Sequence, residues 1–137
     1  MHTIKQSGVI PYRINGDKLE IMLITSLKKK NWIIPKGIVE DNLSPQKSAE
    51  KEAYEEAGIH GTSDKDVVGI YHQVKWGSNC RIEVYAMQVE KVLDKWPEMN
   101  QRERKWLPIK KAMVVIDNSD LKQIVKIFQK SFSGKFR

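Results

Sequence analysis

Cysteine is nearly absent. Cys80 is the only one in 137 residues, so no internal disulfide can form and stability must come from a packed core. Long apolar runs are missing as well: none approaches the ~20 residues that a membrane span requires. The N-terminus, MHTIKQSGVI, has neither a long apolar run nor the basic-then-apolar order of a secretory signal. From these absences we expect a soluble, cytoplasmic protein of a reducing compartment, with no membrane partner. Acidic residues are scarce in the last third, where residues 91–137 carry 12 Lys and Arg against 5 Asp and Glu, while residues 1–90 carry 12 of each kind. The whole net charge of +7 therefore lies there. Such a bias is either a solubilising surface or an attraction for a polyanion. Repeats and low-complexity segments are also lacking. The length suits one domain, 1–137, that buries about two thirds of its unfolded surface.

What is present alternates between strand and helix periods, the pattern of one mixed α/β domain. SGVIPY (7–12) and KLEIMLITS (18–26) flank Asn15-Gly16, a pair that tolerates the positive φ angles of a tight hairpin. WII (32–34) reads as a short strand ending at Pro35. A second hairpin is expected from 67–76 through Gly77-Ser78-Asn79 into 80–92, where Ile82, Val84 and Ala86 alternate with Arg81, Glu83 and Tyr85. Leu121, Ile124, Val125, Phe128 and Phe132 recur at helical spacing, with Asp117, Asn118 and Ser119 as available caps and residues 133–137 as an expected frayed tail. Lys122, Lys126 and Lys130 line the opposite side, as on an ordinary amphipathic packing helix.

The clearest element is the helix expected at 45–57. Ser44 suits its N-cap, Pro45 its first turn, and Gly58 the left-handed position after its end. At 100° per residue, Ala49, Ala53 and Ala57 form a narrow stripe that can lie close against a sheet. Glu52, Glu55 and Glu56 fall within one turn at the border of that stripe. Like charges at these spacings repel, more so where water is partly excluded. Lys47 and Lys51 could relieve a merely solvated face. Otherwise the arrangement suits a hard dication, Mg²⁺ or Mn²⁺, which takes carboxylates together with substrate phosphate oxygens.

Residues 37–59, GIVEDNLSPQKSAEKEAYEEAGI, resemble the signature of the Nudix hydrolases. Gly37, Glu52, Glu55, Glu56, Gly58 and Ile59 stand at the matching spacings, with Ala53 at the first aliphatic position. Leu43 replaces the family's first Glu and Lys51 its Arg. The resemblance implies an α/β/α sandwich around a central mixed β-sheet, spanning nearly the whole chain. It also implies Mg²⁺- or Mn²⁺-dependent hydrolysis of a diphosphate linkage. Glu52 and Glu56 would then be metal ligands, with the Gly37 carbonyl. Glu55 would complete the metal shell or take the proton of the attacking water, making Glu55 and Glu52 the catalytic carboxylates. Glu83, Glu98 and Glu103 are further candidates for the base.

WIIPKG (32–37) and WPEMNQRERKWL (96–107) are similar to the branch that acts on diphosphoinositol and diadenosine polyphosphates. Lys36 would sit at the mouth of the site. Lys28, Lys29, Lys30, Arg102, Arg104 and Lys105 would offer point charges or forks to further phosphates. Arg102 and Arg104 are expected on one face of a strand. Trp32 and Trp106 read as packing residues, and His60 and His72 have no metal-ligand spacing. A different reading is a catalytically quiet module that binds nucleotides or RNA through the basic C-terminal third.

Overall fold

The computed structural model describes residues 3–133. The tail expected to fray lies, apart from Ser133, outside them. β1 (Thr3–Asn15) and β2 (Lys18–Thr25) form the first hairpin, turning at Gly16 with φ 69° and clasped by an Arg13–Glu20 ion pair of 2.8 Å. β3 (Trp32–Ile33) and β4 (Lys36–Ile38) flank Pro35. α1 (Pro45–Ala57) leads directly into β5 (Ile59–Lys75), which turns at Gly77 into β6 (Ser78–Val92). β7 (Arg104–Pro108), α2 (Ile109–Val115) and α3 (Ser119–Ser133) complete the described chain.

Seven strands make one sheet, with order β3-β2-β1-β6-β5, β4 pairing to β1 and β7 to β2. β1 and β6 run parallel and the other pairs antiparallel, so the sheet is mixed. Helices cover both faces. Successive residues of the central strands therefore feed different cores. Met22 and Ile24 pack with Ala49, Ala53 and Ala57 of α1, whereas Ile21 and Leu23 pack with Ala112 of α2 and Leu121, Ile124 and Phe128 of α3. Burial on both faces explains why IMLI reads as an unbroken apolar run. The expected α/β/α sandwich is the observed architecture.

Three elements differ from expectation. β5 begins eight residues before Val67, because its first half, IHGTSDKD, is a polar edge strand that pairs with β6 through register shifts and carries no apolar alternation. α2 was hidden by β-branched residues in IKKAMVV, and only Ile109 and Ala112 among them are buried. β7 starts at Arg104, so Arg102 precedes the strand and the two arginines do not share a strand face. Among the described residues no helix is long and apolar enough to cross a membrane.

Candidate active site

α1 is fixed at both ends. The Ser44 hydroxyl accepts the Lys47 N–H at 3.1 Å, and Gly58, at φ 65°, donates its N–H to the Tyr54 carbonyl. Ala49, Ala53 and Ala57 are fully buried, which brings the helix backbone down onto the sheet and turns Glu56 inward until it is only 7 % exposed. Gly37 on β4 lies beneath the helix. A Cβ there would overlap the Glu52 carboxyl, so this glycine is required by close approach.

Glu56 Oε1 accepts the Lys36 N–H at 3.2 Å, and Oε2 is 3.5 Å from the Arg102 guanidinium. Burial pushes the Glu56 carboxyl up to about 8, against the opposing pull of Arg102, and the charges of Glu52 and Glu98 add to the rise. Burial also raises Glu52, which shares a hydrogen bond with Glu56 and faces Glu55 and Glu98. Glu55 is half-buried, 3.8 Å from Lys51, and its carbonyl accepts the Glu98 N–H. Of the three further base candidates, only Glu98 joins the pair electrostatically. Glu83 is bonded to Arg81 and Tyr85, and Glu103 is exposed.

The loop 93–103 is docked onto the end of α1. Trp96 donates its indole N–H to the Glu56 carbonyl at 3.1 Å and packs over Gly58, where an added Cβ would lie 2.7 Å from the ring. Arg104 pairs with Ile24, whose side chain is on the α1 face, and its guanidinium reaches the carbonyls of Ala57, Gly58 and Leu93 while stacking 3.8 Å from the centre of Trp96. Arg104, expected to contact phosphate, here directs Nη1 and Nη2 to three main-chain carbonyls. Arg102 donates to Glu98 at 2.8 Å and to the Thr25 carbonyl at 2.9 Å, so it acts as the cationic floor beneath Glu56.

Glu56 and Arg102 form the base of a cleft of about 690 Å³. Lys28, Lys29 and Lys36, all named from the sequence as candidate phosphate contacts, line it. Burial, and then the nearby charge of Lys75, lower the Lys36 pKa. Lys30 turns aside to the Gln101 carbonyl. Sequence reasoning missed the far wall, Gln73, Lys75 and Trp76 of the β5–β6 hairpin. A tryptophan placed in a polar turn was the available signal.

The two departures from the family pattern have a local account. Lys51 reaches the Glu40 carboxylate at 2.9 Å, three residues before Leu43, so an exposed ion pair joins the loop to the helix here. Leu43 is half-buried there.

Among the described residues no three His, Cys, Asp or Glu side chains converge closely enough to hold a metal alone. Glu52 and Glu56 still fit one. They are hard oxygen donors, four residues apart, in a place where burial disfavours their charge, and Mg²⁺ commonly binds to one or two carboxylates with waters and substrate phosphates filling its shell.

Residues 5–127 match the model of the NUDIX domain. The chain is 32 % identical to Nudix hydrolase 13, mitochondrial, of Arabidopsis thaliana, over 78 % of this chain and 64 % of that protein. It is 31 % identical to the human diphosphoinositol polyphosphate phosphohydrolase NUDT4B, over 82 % of this chain and 62 % of that protein. The chain thus spans just under two thirds of the length of these relatives. Its fold superposes on a C. elegans Ap4A hydrolase with a TM-score of 0.83 at 21 % identity, covering 96 % of this chain and 98 % of that one. With Gly37 on β4 beneath a capped helix that carries all three carboxylates, and with the domain model matching most of its length, the chain belongs to the NUDIX domain family.

Proposed function

We propose that the protein is a pyrophosphohydrolase that cleaves a diphosphate linkage in a polyphosphorylated small molecule, with Mg²⁺ or Mn²⁺ as cofactor. The observation that carries this reading is the hydrogen-bonded Glu52–Glu56 pair, with Glu52 against Gly37 and Glu56 lining a cleft shared with lysines. Glu52, Glu56 and the Gly37 carbonyl would hold the metal, which when bound neutralises phosphate charge and acidifies water. The chain's own residues do the rest. Lys36, Lys28 and Lys29 bind and orient the flanking phosphates, and Arg102 holds Glu56 in place from below. Water adds to a phosphorus, the bridging anhydride oxygen leaves with the departing phosphate, and the water's proton passes to Glu55 or Glu98. Relatives named for diphosphoinositol polyphosphates and Ap4A support this substrate range. The buried free thiol of Cys80 suits a reducing compartment such as the cytoplasm.

The test is product release from diadenosine polyphosphates, diphosphoinositol polyphosphates and nucleoside triphosphates with and without metal, beside Glu56→Gln. Metal-dependent turnover that falls by several orders of magnitude in the variant is expected. No turnover on any substrate, with steeply salt-dependent RNA binding instead, would refute the hydrolase and favour the quiet module.

A further inference from the structure

The far wall of the cleft has a chemistry that phosphate binding does not explain. Trp76 is 62 % exposed, and its neighbours on the rim, Val74 and Leu27, are 78 % and 52 % exposed. An indole and two aliphatic side chains left in water beside a lysine cluster cost hydration free energy unless a ligand covers them. Trp76 is also held in the left-handed region at φ 55°, unusual for a bulky residue, just before Gly77 completes the turn. Lys75 Nζ lies 4.7 Å from the centre of the Trp76 ring, and its charge is felt by Lys36 near the metal-site carboxylates. An anion drawn to Lys75 therefore brings whatever it carries alongside the indole. Deeper in the same wall, the Gln73 Oε1 is buried and has no hydrogen-bond partner, leaving an acceptor without a donor.

We propose that Gln73, Lys75 and Trp76 form a nucleobase subsite, which commits the substrate to a nucleoside polyphosphate and excludes an inositol pyrophosphate. This rests on the hydrolase reading and narrows its substrate class. The base stacks on Trp76 between Leu27 and Val74, and an N–H of the nucleoside donates to Gln73 Oε1. The phosphates run past Lys75 and Lys36 to the linkage held over Glu52 and Glu56. An inositol polyphosphate presents charge on every side and no π face. It would desolvate Leu27, Val74 and Trp76 without contacting them favourably. A cleft of about 690 Å³ is ample for a base with a phosphate chain.

The experiment is calorimetric titration in EDTA, so that binding is read without turnover, using ATP, inorganic tripolyphosphate and inositol hexakisphosphate as probes. Base stacking contributes about 1–3 kcal/mol, so Trp76→Ala should weaken ATP by roughly 5- to 150-fold. Tripolyphosphate should bind both proteins alike, and Trp76→Phe should recover most of the ATP affinity. In the loaded enzyme, Trp76→Ala should raise KM for a dinucleoside polyphosphate and leave kcat within a few-fold. Equal weakening of ATP and tripolyphosphate would overturn the subsite, as would ATP binding indifferent to Trp76, or tighter binding of the inositol phosphate than of ATP. Should ATP binding depend on Trp76 while no substrate is turned over, the base subsite stands and the hydrolase falls.

Discussion

Replacing Glu56 with Gln should stabilise the metal-free protein above neutral pH while abolishing the proposed hydrolysis. In the fold this carboxyl keeps its proton up to about 8, whereas in the unfolded chain it lets go near 4.5. Between those values the folded state binds more protons than the unfolded one, so stability from this group is present at low pH and is lost as pH rises through the window. Each pH unit is worth about 1.4 kcal/mol, so the loss between pH 5 and pH 7.5 is about 3 kcal/mol. For a chain of this length the unfolding entropy near Tm is about 0.3 kcal/mol per degree, which converts that loss to roughly 10 °C. Thermal unfolding in EDTA across this range should therefore show a falling Tm. In Glu56→Gln the fall should shrink to the smaller slope left by Glu52, whose carboxyl is raised in the same direction. Added Mg²⁺ should restore the unsubstituted protein increasingly as pH rises, because ligation displaces the proton, and should do little for the variant. Identical pH slopes in the two metal-free proteins would refute the reasoning.

Gly37→Ala places a methyl group where the Glu52 carboxyl lies, so kcat/KM should drop by at least about 100-fold with only the 1–3 kcal/mol destabilisation of overpacking, read by steady-state kinetics beside urea unfolding. Arg104→Ala removes the guanidinium donor of the Ala57 and Leu93 carbonyls, while the Gly58 carbonyl keeps the Leu93 N–H, and should cost about 2–4 kcal/mol in urea unfolding. Arg104→Lys should recover little of it, because an ammonium cannot span Ala57 and Leu93 while stacking on Trp96. Ser44→Ala removes the N-cap acceptor and should cost about 1 kcal/mol in the same assay, with KM unchanged.

The half of the site carried on α1 was legible because local rules determine it. Ser44, Pro45 and Gly58 announce the helix ends, and helical periodicity puts Glu52 and Glu56 beside the alanine stripe without any knowledge of the sheet. The other half depends on long-range register. Arg104 looks like a phosphate ligand until its pairing with Ile24 aims it at the carbonyls of Ala57 and Gly58. Lys28 and Lys30 belong to one lysine run, yet Lys30 is turned to Gln101 and Lys28 lines the cleft. Trp76 joins the site only because the β5–β6 hairpin reaches beside the loop bearing Leu27. Polar edge pairing hid the start of β5 in the same way, since its partner lies some thirty residues away in β6.

The packing of Trp96 over Gly58 narrows what drift in sequence this position can tolerate. At most left-handed helix ends asparagine can substitute for glycine, because the backbone angle alone is the obstacle and asparagine meets it at modest cost. Here space is a second, independent obstacle, since any Cβ would press into the indole. Asparagine at position 58 would solve the first and not the second. A lineage could lose this glycine only by first surrendering Trp96, and with it one of the two bonds, beside that from the Glu98 N–H to the Glu55 carbonyl, that tie this loop to the helix bearing the three carboxylates.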